Sequence, residues 1–197
     1  MKNFKTHFII DGDKNNALVI FVGKDSSLFG NEDRYLKIAE TANTVYGLTV
    51  FCFCNPACNW DLKDNGFSFI IDTVKENINE NGNIYFFGFS AGATFAIFNA
   101  WKYAQIKRML LVNPPLMVNM HKIFKGIKNF KGISTLIIGE QDFCIKIGSM
   151  FERDKEMSGF TDVFIFPKAD HMFTGLTDEF VKLPFTYLIN TPNRPNV

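Results

Sequence analysis

The chain has 197 residues, enough for one domain with a substantial core and too few for two, so a single domain over residues 1 to 197 is expected. With 47% hydrophobic and 21% charged residues it is neither disordered nor fibrous. A formal charge of +1, drawn from near-equal numbers of both signs without a long basic block, argues against nucleic acid or an anionic membrane as partner and for small-molecule chemistry.

The N-terminus carries only the four-residue apolar run His7-Phe8-Ile9-Ile10, too short for a signal peptide or a spanning helix, so a cytoplasmic protein is expected. FKTHFII (4–10) and ALVIFVG (17–23) flank the turn DGDKNN and predict an antiparallel hairpin entering the sheet. From Asp33 to Tyr46, Tyr35, Ile38, Ala39, Ala42 and Val45 recur at helical spacing, and LTVFCFC (48–54) follows as a strand. Cys52 and Cys54 alternate along that strand and share a face. With Cys58 they form a C-x-C-x3-C cluster that has no histidine near it, which points to buried thiols rather than a metal site.

Residues 67–81 predict a helix, 83–88 a strand and 91–103 a helix. KRMLLV (107–112), STLIIG (134–139) and DVFIFP (162–167) are further strands, residues 116–130 show a helical pattern, and residues 145–157 read as one helix. Strands alternating with helices predict a three-layer α/β/α sandwich on a mostly parallel sheet. The tail 190–197, with two prolines and little to bury, is expected on the surface. Pro184 interrupts the last apolar segment and marks either the end or the start of a helix.

The stretch YFFGFSAGATF (85–95) sets Ser90 between Gly88 and Gly92 where an apolar strand gives way to an alanine-rich helix. The G-x-S-x-G pattern alone arises by chance in a chain of this length roughly once in fifteen cases. Its setting is more specific, because a strand-to-helix elbow holds a serine in a strained conformation and needs very small neighbours at −2 and +2. The turn also aims the hydroxyl at a helix start, where unpaired N–H groups favour a developing oxyanion.

A serine hydroxyl needs a base, and there are three histidines. His7 lies in the first strand and reads as an edge or core residue. His121 falls opposite the apolar stripe Leu116, Met120, Ile123 and Ile127 and reads as exposed. His171 follows the last strand by a short turn, which puts it at the carboxyl edge of a parallel sheet beside Ser90. The base in turn needs a carboxylate, and Asp142, three residues past the strand-ending Gly139, is the first choice. Glu140 and Asp170 are its rivals, and a turn-capping aspartate is the ordinary role of such a residue.

Taken together, GFSAG, GEQD and KADHMF resemble the elbow, acid loop and histidine loop of the α/β-hydrolase superfamily, in that family's order of nucleophile, acid and base, over nearly the whole chain. The resemblance implies a serine hydrolase without cofactor or metal, acting on a small carboxylic ester or thioester through an acyl-enzyme on Ser90. Small amides and peptides are alternatives, as is a ligand-binding protein on the same fold. It further implies an oxyanion hole from the N–H groups of Ala91 and Lys24, although the family often has His-Gly where this chain has Val22-Gly23. The loop Gly23-Lys24-Asp25-Ser26 is not a phosphate loop, because Leu18 stands where that motif requires its first glycine.

Superfamily lids commonly enter after the strand corresponding to 107–112. Residues 116 to 133 number 18, enough for one helix and not a multi-helix cap, which implies a fairly open site. A monomer or homodimer is expected. Phe89, Met117 and Met120 are candidate pocket residues. The ordinary role of the two methionines is packing on the sheet, and flexible thioethers also suit an acyl pocket. Asn55-Pro56 and Asn113-Pro114 end strands at the same edge, where a pocket floor would lie.

Overall fold

The computed structural model describes residues 7–24, 26–54 and 65–190. Asp25, Asn55-Pro56, Cys58 and the tail from Thr191 onward lie outside them. The strands are β1 (His7–Ile10), β2 (Asp13–Phe21), β3 (Leu48–Phe53), β4 (Asn83–Phe89), β5 (Ile106–Val112), β6 (Ile133–Gly139) and β7 (Asp162–Phe166), and they form one sheet in the order β1-β3-β2-β4-β5-β6-β7. Pairing is parallel from β3 through β7, and only β1 runs antiparallel. The helices are α1 (Arg34–Tyr46), α2 (Asn65–Asn77), α3 (Ala91–Asn99), α4 (Met120–Asn129), α5 (Ile145–Arg153), α6 (Lys155–Ser158) and α7 (Thr177–Pro184).

The strands alternate their side chains between two apolar layers, as a pleated sheet buried on both faces must. Val19, Phe51, Phe86 and Leu111 face α2, α3, α4 and α5, whereas Leu18, Val50, Phe87 and Leu110 face α1 and α7. The expected three-layer sandwich is therefore present.

The expected hairpin is not: the antiparallel partner of β1 is β3, with His7 opposite Phe53 and Ile10 opposite Val50. The two residues between β1 and β2 step over the start of β3 instead of folding back. An extended chain covers the two interstrand spacings, about 10 Å, in the three Cα steps from Ile10 to Asp13. Gly12 makes the crossing possible, because a Cβ there would stand 2.5 Å from the Leu48 carbonyl oxygen. The Gly12 N–H donates to Thr49 Oγ1 at 3.1 Å and the Asp13 N–H to the Gly47 carbonyl at 2.6 Å. Every residue of β3 is buried, so it requires a neighbour on each edge, and the chain satisfies it from both sides.

Several helix boundaries differ from the pattern in the sequence, and α2 ends at Asn77 where the pattern ran to residue 81. The segment 116–130 becomes helical only at Met120, where the Asn119 side chain caps the helix by accepting the Lys122 N–H at 3.0 Å. The segment 145–157 divides at Asp154 into α5 and α6, and α3 tightens into a 3-10 turn over Ala100–Lys102. Pro184 is the last residue of α7, and the backbone continues as a π-helical turn over Phe185–Ile189. Its missing N–H falls where the hydrogen-bond register changes.

Candidate active site

The turn from β4 to α3 carries Ser90 at φ 51° and ψ −118°, a conformation that costs a non-glycine residue about 1–3 kcal/mol. The Ser90 N–H donates to the Val112 carbonyl at 2.8 Å and the Thr94 N–H to the Ser90 carbonyl at 3.1 Å, which tie the turn to β5 and to its own helix. Both glycines are required by space: a Cβ on Gly88 would lie 2.6 Å from Ala93 Cα, and one on Gly92 would collide with the Phe21 carbonyl at the end of β2. Ala91 opens α3, so its N–H has no carbonyl one turn back to bond.

The loops after β6 and β7 bring Asp142 and His171 to this turn. Ser90 Oγ stands 3.0 Å from His171 Nε2, and His171 Nδ1 stands 2.5 Å from Asp142 Oδ2. With the carboxylate on Nδ1, that nitrogen carries the proton, and Nε2 is left to accept from the serine hydroxyl. The Asp142 side chain is fully buried and that of His171 is 27% exposed, so the pair meets solvent only through the histidine. The second Asp142 oxygen accepts the Cys144 N–H at 2.6 Å, which fixes the carboxylate's orientation.

The rival carboxylates are engaged elsewhere. Glu140 Oε2 accepts the Lys168 N–H at 2.8 Å. Asp170 Oδ1 accepts the N–H groups of Thr174, at 2.9 Å, and Met172, at 3.0 Å. Its bond from Thr174 is the main reason that its carboxyl lies below the ordinary value, against a small opposing effect of burial. It therefore shapes the histidine loop rather than the imidazole. The other histidines stand apart, His7 stacked on Phe53 at 5.3 Å in the edge strand and His121 exposed on α4.

Asn113, at the end of β5 with φ 47°, is fully buried and joins the two loops. Its Oδ1 accepts the Gly139 N–H at 2.7 Å, and its Nδ2 donates to the carbonyls of His171, at 2.9 Å, and Asp170, at 3.2 Å. Sequence reasoning saw in Asn113 a strand end beside a candidate pocket floor, and the cavity beside Ser90 is lined by Pro115 rather than by Asn113 or Pro114. The signal missed at Asn113 was a buried amide directly after an apolar strand, a residue that must find partners on both its ends.

A cavity of about 300 Å³ opens beside Ser90, lined by Gly23, Lys24, Ser26, Phe89, Ser90, Ala91, Pro115, Phe143, His171 and Met172. Its walls are mainly apolar. Phe143, 55% exposed, lies 4.8 Å from the His171 ring, and Phe89 packs on the same imidazole at 5.7 Å. A Cβ on Gly23 would come within 3.2 Å of Ser90 Cβ, so the backbone after β2 passes directly over the serine.

Phe89 lines the cavity, while Met117 and Met120 do not. Met117 is 62% exposed in the turn before α4, and Met120 packs with Phe124 against the core layer under α4. The late start of α4 accounts for this, since Met117 lies outside the helical spacing that would have aligned it with Met120. The pocket residues found instead, Phe143 and Met172, each directly follow a residue of the Ser90-His171-Asp142 chain, and that adjacency was the signal that sequence reasoning missed.

Burial pushes the thiols of Cys52, Cys54 and Cys144 up from their usual range, most strongly for Cys52. Among the described residues no group of three or more metal-ligating side chains converges. No described helix is long and apolar enough to cross a membrane.

Sheet order, elbow and helix placement together define an α/β-hydrolase fold. The chain is similar in structure to Est1E from Butyrivibrio proteoclasticus, with a TM-score of 0.65, 13% identity and coverage of 91% of this chain and 93% of that one. It is also similar to an alpha-beta serine hydrolase homologue from Coxiella burnetii, with a TM-score of 0.67, 18% identity and coverage of 90% and 88%. The esterase Pf2001 of Pyrococcus furiosus gives a TM-score of 0.68, 16% identity and coverage of 92% and 87%. No protein-family model and no curated protein matches the sequence.

Proposed function

We propose that the protein is a serine hydrolase that cleaves a carboxylic ester of modest size through an acyl-enzyme on Ser90. The observation that carries this reading is the continuous chain from Ser90 Oγ to His171 Nε2 at 3.0 Å and from His171 Nδ1 to Asp142 Oδ2 at 2.5 Å, at a serine with positive φ.

In the first half-reaction Ser90 Oγ attacks the ester carbonyl carbon while its proton passes to His171 Nε2. The tetrahedral oxyanion is met by the N–H of Ala91 at the start of α3 and by the N–H of Lys24 in the loop over Ser90. Asp142 stays ionised and stabilises the imidazolium through Nδ1–H. The imidazolium then protonates the departing alkoxide, the C–O bond breaks, and the acyl group remains on Ser90. Water attacks that ester, gives its proton to Nε2, and the proton returns to Ser90 Oγ as the acid leaves.

A cavity of about 300 Å³ is at the small end for ligand sites, and its Phe89, Pro115, Phe143 and Met172 walls suit an apolar group on either side of the ester. The esterases among the similar structures favour the same substrate class. Thioesters share this chemistry.

The test combines a fluorophosphonate probe with aryl esters of rising acyl length. Wild-type labelling and turnover are expected, with best rates for short acyl chains, and Ser90→Ala is expected to lose on the order of 10⁴-fold or more. Wild-type turnover in Ser90→Ala would sink the assignment of the nucleophile. A protein that binds esters without turning them over would be a ligand-binding member of the fold.

A further inference from the structure

Arg34, the first residue of α1, is a cation buried to 2% exposure with no carboxylate paired to it among the described residues. Burying a guanidinium without a counter-charge is costly, and an apolar side chain of similar volume would often serve the core as well or better. The approach to it is costly too: Glu32 and Asp33, immediately before it, both take the left-handed conformation, at φ 53° and φ 54°. Two expensive features at one position point to something other than packing.

The surroundings of the guanidinium show what it holds. Nη1 donates to the Met172 carbonyl at 2.7 Å, and Met172 directly follows His171. The Arg34 guanidinium carbon lies 4.3 Å from the ring centre of Phe180, 4.7 Å from that of Phe89 and 5.0 Å from that of Tyr35. Phe89 directly precedes Ser90. Nη2 donates to the Tyr35 hydroxyl at 3.2 Å, and burial raises that phenol to about 12, so Tyr35 is neutral and not the missing counter-charge. Nε has no partner, so among the described residues the guanidinium is held by the aromatic faces, the Tyr35 hydroxyl and the Met172 carbonyl rather than by an ion pair.

We infer that Arg34 is a positioning residue for the Ser90–His171 pair, one side chain that touches the chain neighbour of each and fixes the distance between their loops. Ser90 and His171 are 81 residues apart and belong to loops after different strands, so their 3.0 Å contact needs an external reference. Arg34 supplies it from a third element, gripping the histidine loop by its backbone and the serine turn through the face of Phe89. Asn113 fixes the same histidine loop at the two preceding carbonyls, those of Asp170 and His171. A rigid guanidinium suits this task better than a lysine ammonium, because its plane stacks on rings while its edge donates.

The inference rests on the hydrolase reading above, and the test keeps the two apart. Wild type, Ser90→Ala, Arg34→Met and Arg34→Lys are compared for kcat, KM, the rate of fluorophosphonate labelling, melting temperature and the downfield NMR signal of the His171 Nδ1 proton. Arg34→Met is expected to fold and to melt within about 5 °C of wild type. Its kcat and labelling rate are expected to fall about 10–100-fold at unchanged KM, with the Nδ1 signal broadened, because small misplacements of reacting groups cost rates of this order. Arg34→Lys, which keeps a cation and one donor but loses the plane that stacks on the rings, is expected to recover part of that loss and to stay about three- to tenfold below wild type in kcat. A folded Arg34→Met with kcat within about twofold of wild type overturns the proposal, as does a fall in stability with kcat unchanged. If Arg34→Met does not fold, Arg34→Lys decides alone. A loss in kcat of about three- to tenfold with a broadened Nδ1 signal supports the clamp, and wild-type values for both overturn it. Absence of turnover and labelling in the wild type itself would fell the hydrolase reading, and this inference with it.

Discussion

Asn113 and Gly139 are joined by a 2.7 Å hydrogen bond from the Gly139 N–H to Asn113 Oδ1, so the end of β5 holds the start of the loop that carries Asp142. The same side chain donates to the His171 and Asp170 carbonyls, and the loops that carry His171 and Asp142 are thereby referred to one fully buried amide. Asn113→Ala leaves one donor and two acceptors short of partners and puts alanine at a positive φ. Unfolding in urea is expected to show a loss of about 2–4 kcal/mol, with kcat falling more than KM rises. A variant as stable as wild type would show that the amide is not the link between the loops.

The strain at Ser90 can be separated from its chemistry. Ser90→Gly removes the hydroxyl and relieves the φ 51° backbone, so it is expected to gain about 1 kcal/mol in stability over Ser90→Ala while both lack activity. Denaturant titration of the two variants side by side gives the difference, and equal midpoints would mean that the turn is unstrained.

Gly92→Ala tests the elbow's closeness to β2. The added methyl meets the Phe21 carbonyl, a backbone atom that cannot turn aside, so a loss of more than about 2 kcal/mol is expected together with loss of turnover. Wild-type thermal stability in this variant would be incompatible with the contact described.

Asp142 and Asp170 are expected to respond differently to amidation. Asp142→Asn removes the acceptor that sets the His171 tautomer and is expected to lower kcat on the order of 10⁴-fold, whereas Asp170→Asn changes kcat far less. The reverse ranking, read from steady-state rates at pH 7, would reassign the acid.

Asp170 also carries a pH signature. Its folded carboxyl lies below the ordinary 3.8, so its contribution to stability is present above that value and is lost as pH falls through the lower folded one. Asp170→Asn is therefore expected to melt below wild type at pH 7, with the gap closing as pH drops below about 4. A gap that is constant with pH would show that the charge on Asp170 plays no part.

Much of this could be read in the sequence because it is local. Apolar periodicity marks β2 through β7 and most of the helices, and Gly88, Ser90 and Gly92 announce a tight elbow from spacing alone. Ser90, Asp142 and His171 were singled out by their places after strands, since in a parallel sheet every strand ends at the same edge. Local pattern failed where a partner distant in the chain decided the outcome. The turn DGDKNN reads as closing a hairpin of β1 with β2, whereas Gly12 passing over Leu48 leaves β1 beside β3. Met117 and Met120 share a helical spacing that the Asn119 cap prevents from forming, which moved the pocket wall to Phe143 and Met172.

By itself, then, the sequence determined the element order, the sheet's direction and the three residues at its carboxyl edge, because backbone sterics and side-chain periodicity act over a few residues. Only the tertiary structure decided which strand pairs with β1, which side chains wall the cavity, and that Arg34 and Asn113 both hold the histidine loop by its carbonyls. The β1 pairing and the contacts on the histidine loop join residues from 40 to 138 positions apart, and at such separations the partner is set by how layers pack, which no short stretch of chain encodes.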